Sequence, residues 1–302
     1  MGHVLVTGAS GYLGQWACIS LREAGASVRG LARSPKPAVL SSDVAWVTGD
    51  VASGVGLEEA ARGCTHVLHL ACLPFGDSGR SPVDAEQINT LGTVRMLEAA
   101  RTAGVRHFVY ASTAYVYGSR ARAPSDEADV PHPDTPYGAS KLAGEIWCEA
   151  YARAGVFSAC MLRIFNVYGS AADGSPRPTV ETVFLRELLA GRSPVVRGHP
   201  DSGRDFVHVN DVMCAFEKAI AGAVGTFNVG TGTVRTLVEV AEEAARAVRV
   251  DLLPRVEVTG EPPTRLWADT RRAARDLRFE ARVSLAEGLL GLVSAVSSAV
   301  AR

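Results

Sequence analysis

The stretch HVLVTGASGYLG, residues 3–14, decides the fold. It begins as a short apolar strand, and Gly8, Gly11 and Gly14 then follow at intervals of three residues. In a strand-turn-helix unit, the first glycine permits a tight turn, the second lets the backbone approach a pyrophosphate, and the third permits close helix packing. The free N–H groups of the following helix attract phosphate. The stretch therefore predicts a dinucleotide site, and an ordinary strand-to-helix turn is the alternative.

Short strand-like runs alternate with helical patterns over roughly the first half of the chain. Helical spacing covers residues 12–24, 83–103 and Tyr137–Arg153, and the strand-like runs are HVLVT, SVRGLA, VAWVT, THVLHLA, HFVYAS and FSACMLRI. This alternation predicts an α/β fold of the Rossmann type, a doubly wound parallel sheet with helices on both faces. We assign residues 1–170 to this NAD(P)-binding domain.

The alternation becomes less regular after the glycine- and proline-rich stretch GSAADGSPRP, residues 169–178. Helical patterns at about 179–190, 236–247 and 284–300 are separated by short strands and loops. We assign residues 171–302 mainly to a smaller C-terminal α/β lobe that binds substrate. This lobe is expected to be interleaved with the first domain, so the boundary is approximate.

Composition excludes several classes of protein. The chain has 302 residues, 47% of them hydrophobic, and a formal net charge of −1, which gives no basic surplus for nucleic acid. No apolar run is long enough for a membrane span, and no signal peptide is visible. The six cysteines form no C-x-x-C pair, which argues against a metal site. Free thiols in apolar segments favour a cytoplasmic location.

The end of the second predicted strand lacks the acidic residue that usually binds the adenosine ribose of NAD. Ala32, Arg33 and Ser34 stand there. An arginine in this position can pair with the 2′-phosphate of NADP, so NADP(H) is somewhat favoured over NAD(H). Alternatively, Arg33 stacks on the adenine or faces solvent. Asp50, after the third strand, is placed to bind the adenine edge, although a helix cap would explain it as well.

The motif PYGASK contains Tyr137 and Lys141, which lie four residues apart on one face of a predicted helix. A tyrosine with a pKa near 10 is a poor base at neutral pH, but a lysine ammonium and an oxidised nicotinamide would lower that pKa. Lys141 could also bind the nicotinamide ribose. Thr113 ends a predicted strand and can orient a substrate oxygen. These three residues are the predicted catalytic group, which also contacts cofactor and substrate.

With these motifs the chain resembles the extended short-chain dehydrogenase/reductase family, and within it the nucleotide-sugar epimerase/dehydratase group. The resemblance covers nearly the whole chain and rests also on the stretches HLA, NTLGT, STAYVYG, RIFNVYG, GRDFVHVNDV and FNVGTG. It implies a bound NAD or NADP and a nucleotide-diphosphate sugar as substrate. The cofactor-binding residues then comprise Gly8, Gly11, Tyr12, Leu13, Gly14, Arg33, Ser34, Asp50, Val51, Leu70, Ala71, Asn89, Tyr137 and Lys141.

The same resemblance assigns the substrate diphosphate to Asn166 and Arg204. The stretch CLPFGDSGRSP, residues 72–82, differs from common relatives and is expected to shape the sugar pocket, with Cys72 as a substrate-binding candidate. Each assignment has a structural alternative. Arg204 could instead pair with Asp205 or Asp211, Asn166 could cap the NVYG turn, and Cys72 could serve packing. Arg265 is a further candidate for the diphosphate, although its offset in the chain differs from that of the family's late arginine.

Three functions remain open at this stage. Ala114 and Tyr115 follow Thr113 where family 4,6-dehydratases have Asp-Glu, so the sequence argues against that elimination. A nucleotide-sugar epimerase acting at C4 is the first hypothesis, and an NADPH-dependent ketoreductase of a nucleotide-linked keto-sugar is the alternative. A cofactor-binding sensor without catalysis is the third.

The resemblance also implies a homodimer built from two helices of each chain. One is the helix at 83–103 and the other is the helix that carries Tyr137. Leu91, Val94 and Leu97 would suit such an interface, although core packing explains them equally well.

Overall fold

The strands of the main sheet form from apolar runs of the sequence. The computed structural model describes residues 2–119 and 123–300. In chain order the strands are β1 (His3–Thr7), β2 (Ser27–Ala32), β3 (Ala45–Thr48), β4 (His66–His69), β5 (His107–Thr113), β6 (Ser158–Ile164), β7 (Asn166–Tyr168), β8 (Val195–Arg197), β9 (Gly203–Arg204), β10 (Phe206–His208), β11 (Gly225–Val229), β12 (Arg235–Thr236), β13 (Arg255–Glu257) and β14 (Arg265–Leu266).

The helices occupy the segments between these strands. They are α1 (Tyr12–Glu23), α2 (Leu57–Ala61), α3 (Phe75–Arg80), α4 (Pro82–Ala85), α5 (Gly92–Thr102), α6 (Pro136–Arg153), α7 (Val180–Leu189), α8 (Val209–Ile220), α9 (Leu237–Val248) and α10 (Leu285–Val300). Among the described helices, none combines the length and the apolar composition that a membrane span requires.

The main sheet has seven strands within the described residues, in the order β11-β6-β5-β4-β1-β2-β3, and every neighbouring pair is parallel. Side chains alternate between the two faces of each strand. Val4 and Val6 therefore pack in the core beneath α1 and α8, while Leu5 packs in the core on the other face, beneath α2 and α5. This arrangement confirms the doubly wound parallel sheet that the sequence predicts.

The C-terminal lobe has its own apolar core, formed mainly by α7, α9 and α10. It is not one continuous segment, because the chain returns to the main sheet within it. β11 pairs with β6 at the sheet edge, and α8 packs against α1 on the sheet face. Residues 209–229 therefore pack with the main sheet, although they lie beyond the approximate boundary expected at residue 170.

The segment expected as one helix at 83–103 has three parts. α4 passes into a π-helical segment, Glu86–Leu91, which continues directly into α5. A π-helical turn inserts an extra residue into the helix and often marks a functional site. Here it turns Asn89 into the protein interior, where the side chain is fully buried.

α6 packs closely against β5 and β6 along one face. A Cβ atom on Gly144 would lie 2.1 Å from the hydroxyl oxygen of Tyr110, so only glycine permits this approach. One residue further, Glu145 forms a buried ion pair with Arg163, whose Nη2 donates to a carboxylate oxygen at 2.8 Å. Arg163 Nη1 also donates to the hydroxyl of Tyr117 at 2.9 Å.

This ion pair generates a stability prediction. Replacing Arg163 by Met leaves the carboxylate of Glu145 buried without its partner, and breaking a buried pair in this way costs about 3–5 kcal/mol. We expect the urea midpoint of Arg163→Met to fall accordingly. The double variant Glu145→Leu/Arg163→Met removes both charges and should recover a large part of the loss. A single variant as stable as the parent protein would contradict this account of α6.

Candidate active site

The glycine loop between β1 and α1 is shaped by close backbone contacts. Gly8 has a φ of +65°, and a Cβ atom there would lie 2.8 Å from the amide nitrogen of Ala71. A Cβ on Gly14 would lie 2.1 Å from the carbonyl oxygen of Gly8. Gly11 precedes the helix and provides no side-chain cap. The first N–H groups of α1 are thus available to an anion, and the loop fits a pyrophosphate.

The loop opens onto a cavity of about 950 Å³ at the carboxyl ends of the sheet strands. This is the edge where open parallel sheets bind their ligands. Of the residues that the sequence nominates, the cavity is lined by Gly8, Gly11, Tyr12, Leu13, Gly14, Arg33, Asp50, Val51, Leu70, Ala71, Cys72, Thr113, Tyr137 and Asn166.

The adenosine end of the cavity contains Arg33 and Asp50. Arg33 is exposed, and Ser34 lies just outside the lining, where its carbonyl oxygen accepts from Trp46 Nε1 at 3.2 Å. One carboxylate oxygen of Asp50 accepts from the amide of Ala52 at 3.0 Å. Because α2 begins only at Leu57, Asp50 closes a turn, and the helix-cap alternative is wrong.

The three predicted catalytic residues come from two elements. Thr113 ends β5, while Tyr137 and Lys141 lie in the first two turns of α6. Pro136 occupies the start of that helix, and the hydroxyl of Thr135 accepts from the amide of Gly138 at 3.1 Å. This cap fixes the start of α6, so Tyr137 lies in the first turn and faces the cavity.

Burial dominates the electrostatics of these groups. It raises the pKa of Tyr137 well above its usual range, and a hydrogen bond with Thr113 acts in the opposite direction. Burial lowers the pKa of Lys141. The charges of Cys72, Cys148 and Glu145 would raise it, but burial has the larger effect. Without a ligand, Tyr137 is therefore protonated at neutral pH. A base at this position requires additional positive charge in the cavity.

A buried polar network around His69 lies close enough to Lys141 for the lysine charge to act on the imidazole. The hydroxyl of Thr7 accepts from the amides of Leu70 and Ala71, each at 3.1 Å, so its proton is directed to Nδ1 of His69 at 2.8 Å. This assigns the hydrogen of His69 to Nε2, which lies 3.2 Å from the hydroxyl of Thr93. Burial, with the charge of Lys141, lowers the pKa of His69 to about 3, so the imidazole is neutral.

Asn89 joins the loop after β4 to α6. Its Oδ1 accepts from the amide of Leu73 at 2.6 Å, and its Nδ2 donates to the hydroxyl of Ser140 at 3.0 Å. That hydroxyl donates to the carbonyl oxygen of Tyr137 at 3.0 Å. Asn89 thus holds the backbone around Tyr137 and lies behind the cavity lining.

A second cavity of about 500 Å³ adjoins the first, and Asn166, Val167 and Thr179 line both. Arg204 lies in its wall. Its Nη1 donates to the carbonyl oxygen of Thr264 at 3.0 Å and its Nη2 to the hydroxyl of Thr264 at 2.9 Å. The guanidinium is therefore held in place in the wall of this cavity.

The structural alternatives for Arg204 are wrong. The carboxylate of Asp205 accepts from the amides of Thr231, Gly232 and Ala268. That of Asp211 accepts from the amides of Arg282 and Val283. Both acids stabilise loops.

Arg265 does not join the site. Its side chain is exposed, and its Nε donates to the carbonyl oxygen of Asp201 at 2.9 Å. It lines neither of the two cavities described above. The strand β14 pairs with β9 and directs Leu266, its neighbour, into the interior, so the arginine points outward. The position of Arg265 therefore contradicts its predicted role in binding the substrate diphosphate.

Comparison with known proteins now decides the family. The model of the NAD dependent epimerase/dehydratase family matches residues 4–230. A UDP-glucose 4-epimerase of Mycolicibacterium smegmatis is 33% identical over 308 residues, covering 95% of this chain and 96% of the relative. The chain belongs to the NAD dependent epimerase/dehydratase family.

Solved structures of similar proteins have the same fold as this family member. UDP-glucose 4-epimerase of Thermotoga maritima, crystallised with UDP-glucose, is 27% identical with a TM-score of 0.90, and 99% of each chain is covered. MoeE5 in complex with UDP-glucose and NAD is 31% identical with a TM-score of 0.88, covering 99% of this chain and 100% of that chain.

Sequence reasoning missed two parts of this epimerase/dehydratase site. Phe75 stacks on Tyr115 at a centroid distance of 4.6 Å, and both rings meet Tyr137 edge-on. Arg177 lies over the ring of Tyr12 at 3.7 Å. The unusual composition of residues 72–82 was a signal for the first group. For Arg177 the sequence shows only an arginine between two prolines.

The neutral His69 generates a pH prediction. The unfolded histidine has a pKa near 6.5 and the folded one about 3, so the unfolded chain binds more protons between these values. The contribution of the neutral His69 to the free energy of unfolding is complete above about pH 6.5 and is lost as the pH falls toward 3. Through this one group, the free energy of unfolding changes by at most about 1.4 kcal/mol per pH unit.

Urea unfolding at a series of pH values tests this. The pH dependence of stability should become shallower in His69→Gln, while His3→Gln, at an exposed position of β1, serves as the control. Parallel curves for the parent protein and His69→Gln would show that this imidazole is not held neutral in the fold.

Proposed function

We propose that this chain is a nucleotide-sugar epimerase that inverts C4 of a UDP-hexose. The observation that carries the proposal is the junction of the two cavities. A nucleotide diphosphate bound beside Arg204 in the second cavity would extend its sugar past Asn166 into the first. There the sugar would meet Thr113 and Tyr137, next to the glycine loop. Similar proteins with names or structures that specify UDP-glucose support this substrate class.

In this mechanism Tyr137 removes the proton of the C4 hydroxyl, which the side chain of Thr113 orients. When bound, the nicotinamide cofactor accepts the C4 hydride and returns it, and its oxidised ring adds positive charge. Lys141, buried one turn below Tyr137, supplies a second positive charge. The phenol then returns the proton after the keto-sugar has presented its other face. The net reaction consumes no reductant.

The environment of Thr113 argues against dehydration. In the short helical segment that follows, Ala114 is buried, and Tyr115 stacks on Phe75. The two carboxyl groups that would protonate a leaving C6 hydroxyl and abstract the neighbouring proton are therefore missing at these positions.

Two observations bear on the identity of the dinucleotide, and they point in different directions. Arg33 lines the cavity, is exposed, and follows Ala32 where an acid would favour NAD, so it suits a 2′-phosphate. MoeE5, which is similar over nearly the whole chain, was solved with NAD. We propose NAD(H) as the resident cofactor because similar proteins were solved with NAD, and we expect it to be retained because epimerisation returns the hydride that it removes. NADP(H), with a ketoreductase activity, is the alternative that Arg33 favours.

We also propose that two chains associate through α6 and the π-helical segment before α5. Leu91, Ile146 and Trp147 are large apolar side chains exposed on these elements. A second copy would cover them through a two-fold interface. Leu97 is fully buried among the core residues beneath α5, so its expected role in the interface is wrong. The molar mass in solution tests the proposal.

Replacing Tyr137 by Phe tests the catalytic assignment. The variant keeps the ring but loses the hydroxyl that transfers the proton, so conversion of UDP-galactose to UDP-glucose should fall by about a hundredfold or more. Tyr151→Phe removes a hydroxyl from the same helix, where it bonds to Glu98 outside either cavity, and should leave the rate nearly unchanged. Equal activity in both variants would exclude Tyr137 as the proton carrier and would leave the sensor hypothesis standing.

The nucleotide released on denaturation identifies the cofactor. We expect about one NAD or NADH per chain, because an epimerase must retain the hydride it removes. Release of NADP, or an empty site that binds NADPH far more tightly than NADH, would contradict the NAD(H) proposal. In that case Arg33→Ala should remove the preference for the 2′-phosphate, and the ketoreductase becomes the better hypothesis.

A further inference from the structure

The loop at residues 169–179 passes over the start of α1. Two side chains of that helix bind the beginning of the loop. The hydroxyl of Tyr12 donates to the carbonyl oxygen of Gly169 at 3.3 Å, and Nε1 of Trp16 donates to that of Ser170 at 3.0 Å. These residues are four apart and lie on one face of α1. The loop is therefore attached to the helix whose N-terminus the glycine loop forms.

The other end of the loop is held by the first turn of α7. The carbonyl oxygen of Arg177 accepts from the amide of Thr179 at 2.9 Å and also from the hydroxyl of Thr182. The backbone at Arg177 is thus anchored from the C-terminal lobe, while the beginning of the loop is anchored to the first domain. The side chain of Arg177 reaches from this anchor to Tyr12 on α1.

The guanidinium of Arg177 packs on the aromatic face of Tyr12, and its Cζ atom lies 3.7 Å from the ring centroid. Such stacking fixes the direction of a planar cation. Burial raises the pKa of the Tyr12 hydroxyl, and Arg177 opposes this by its charge and a hydrogen bond. Tyr12 is the residue directly after Gly11, so the cation lies at the phosphate-binding end of α1.

The charge of Arg177 has no ion-pair partner within 4.0 Å among residues 2–119 and 123–300. The nearby acid is Glu181, at the start of α7. It is 3% exposed, and burial raises its pKa while Arg177 lowers it. Arg177 lines the first cavity together with Gly8 and Gly11, and it is absent from the lining of the second.

We infer that Arg177 binds the pyrophosphate of the nicotinamide dinucleotide at the start of α1 and slows release of the cofactor. The inference rests on the proposed function only in taking this dinucleotide as the ligand. A second diphosphate, that of the nucleotide-sugar, carries the same chemistry. The position of Arg177 over Tyr12 and in the first cavity assigns it to the cofactor, whereas Arg204 serves the substrate cavity.

The experiment compares three variants of the full chain by two binding measurements. Protein loaded with NAD is diluted into excess competitor, and the rate of NAD release is followed. Binding of UDP is measured separately by calorimetry. Arg177→Met keeps an apolar contact with Tyr12 but removes the charge. Arg177→Lys keeps the charge but loses the planar stack, and Arg204→Met is the matched change in the other cavity.

We expect Arg177→Met to release NAD about ten- to a hundredfold faster, the effect of losing a charged hydrogen bond, with UDP affinity changed less than about twofold. Arg177→Lys should give an intermediate rate, and it replaces the Met variant if that variant fails to fold. Arg204→Met should weaken UDP binding and leave NAD release unchanged.

Two results would overturn the inference. One is unchanged NAD release in both Arg177 variants. The other is weaker UDP binding with normal NAD release, which would place Arg177 on the substrate diphosphate. Neither measurement requires turnover. A protein that releases NAD faster when Arg177 is changed, yet converts no UDP-hexose, would refute the proposed epimerase and leave this inference intact. A parent chain that binds no dinucleotide would refute both.

Discussion

The site depends on the close packing of one face of α6 against the sheet. Tyr137, Lys141 and Glu145 follow one another at intervals of four residues and share that face. Gly144 allows the helix to approach Tyr110, whose ring lies 4.1 Å from Nζ of Lys141. Chemistry and stability therefore use the same surface. A shift of this helix would displace the base, its supporting cation and the buried ion pair together.

This packing has an electrostatic consequence. A half-buried phenol and a buried ammonium are both driven toward their neutral forms, so the pKa of Tyr137 is raised and that of Lys141 is lowered. The neutral His69 beside them avoids a second buried positive charge. The site is consequently poorly basic alone. On the proposed function it would become basic when a positively charged ring binds in the first cavity, which would couple proton transfer to the presence of the cofactor.

The sequence predicted the features that arise from local pattern. Apolar runs located the strands of the main sheet up to β6, and the glycine spacing located the turn at Gly8. The Y-x-x-x-K spacing located the two groups on α6. Each of these signals depends on neighbours within about one turn of helix or one strand, which a single sequence displays.

What the sequence did not predict depends on contacts between distant segments. Arg177 meets Tyr12 only because the loop before α7 is attached to α1, some 150 residues earlier in the chain. Phe75 reaches Tyr137 because a short helix follows β4. The outward direction of Arg265 follows from the pairing of β14 with β9. Residue type alone could not distinguish Arg204, which lies in a cavity wall, from Arg265, which does not.

The most direct measurement is to incubate the purified chain, without added nucleotide, with UDP-glucose that carries deuterium at C4. The products are then followed by NMR. The account predicts UDP-galactose that retains the deuterium at C4, because the hydride leaves and returns within one active site. The absence of UDP-galactose, or a product that has lost the label, would contradict it.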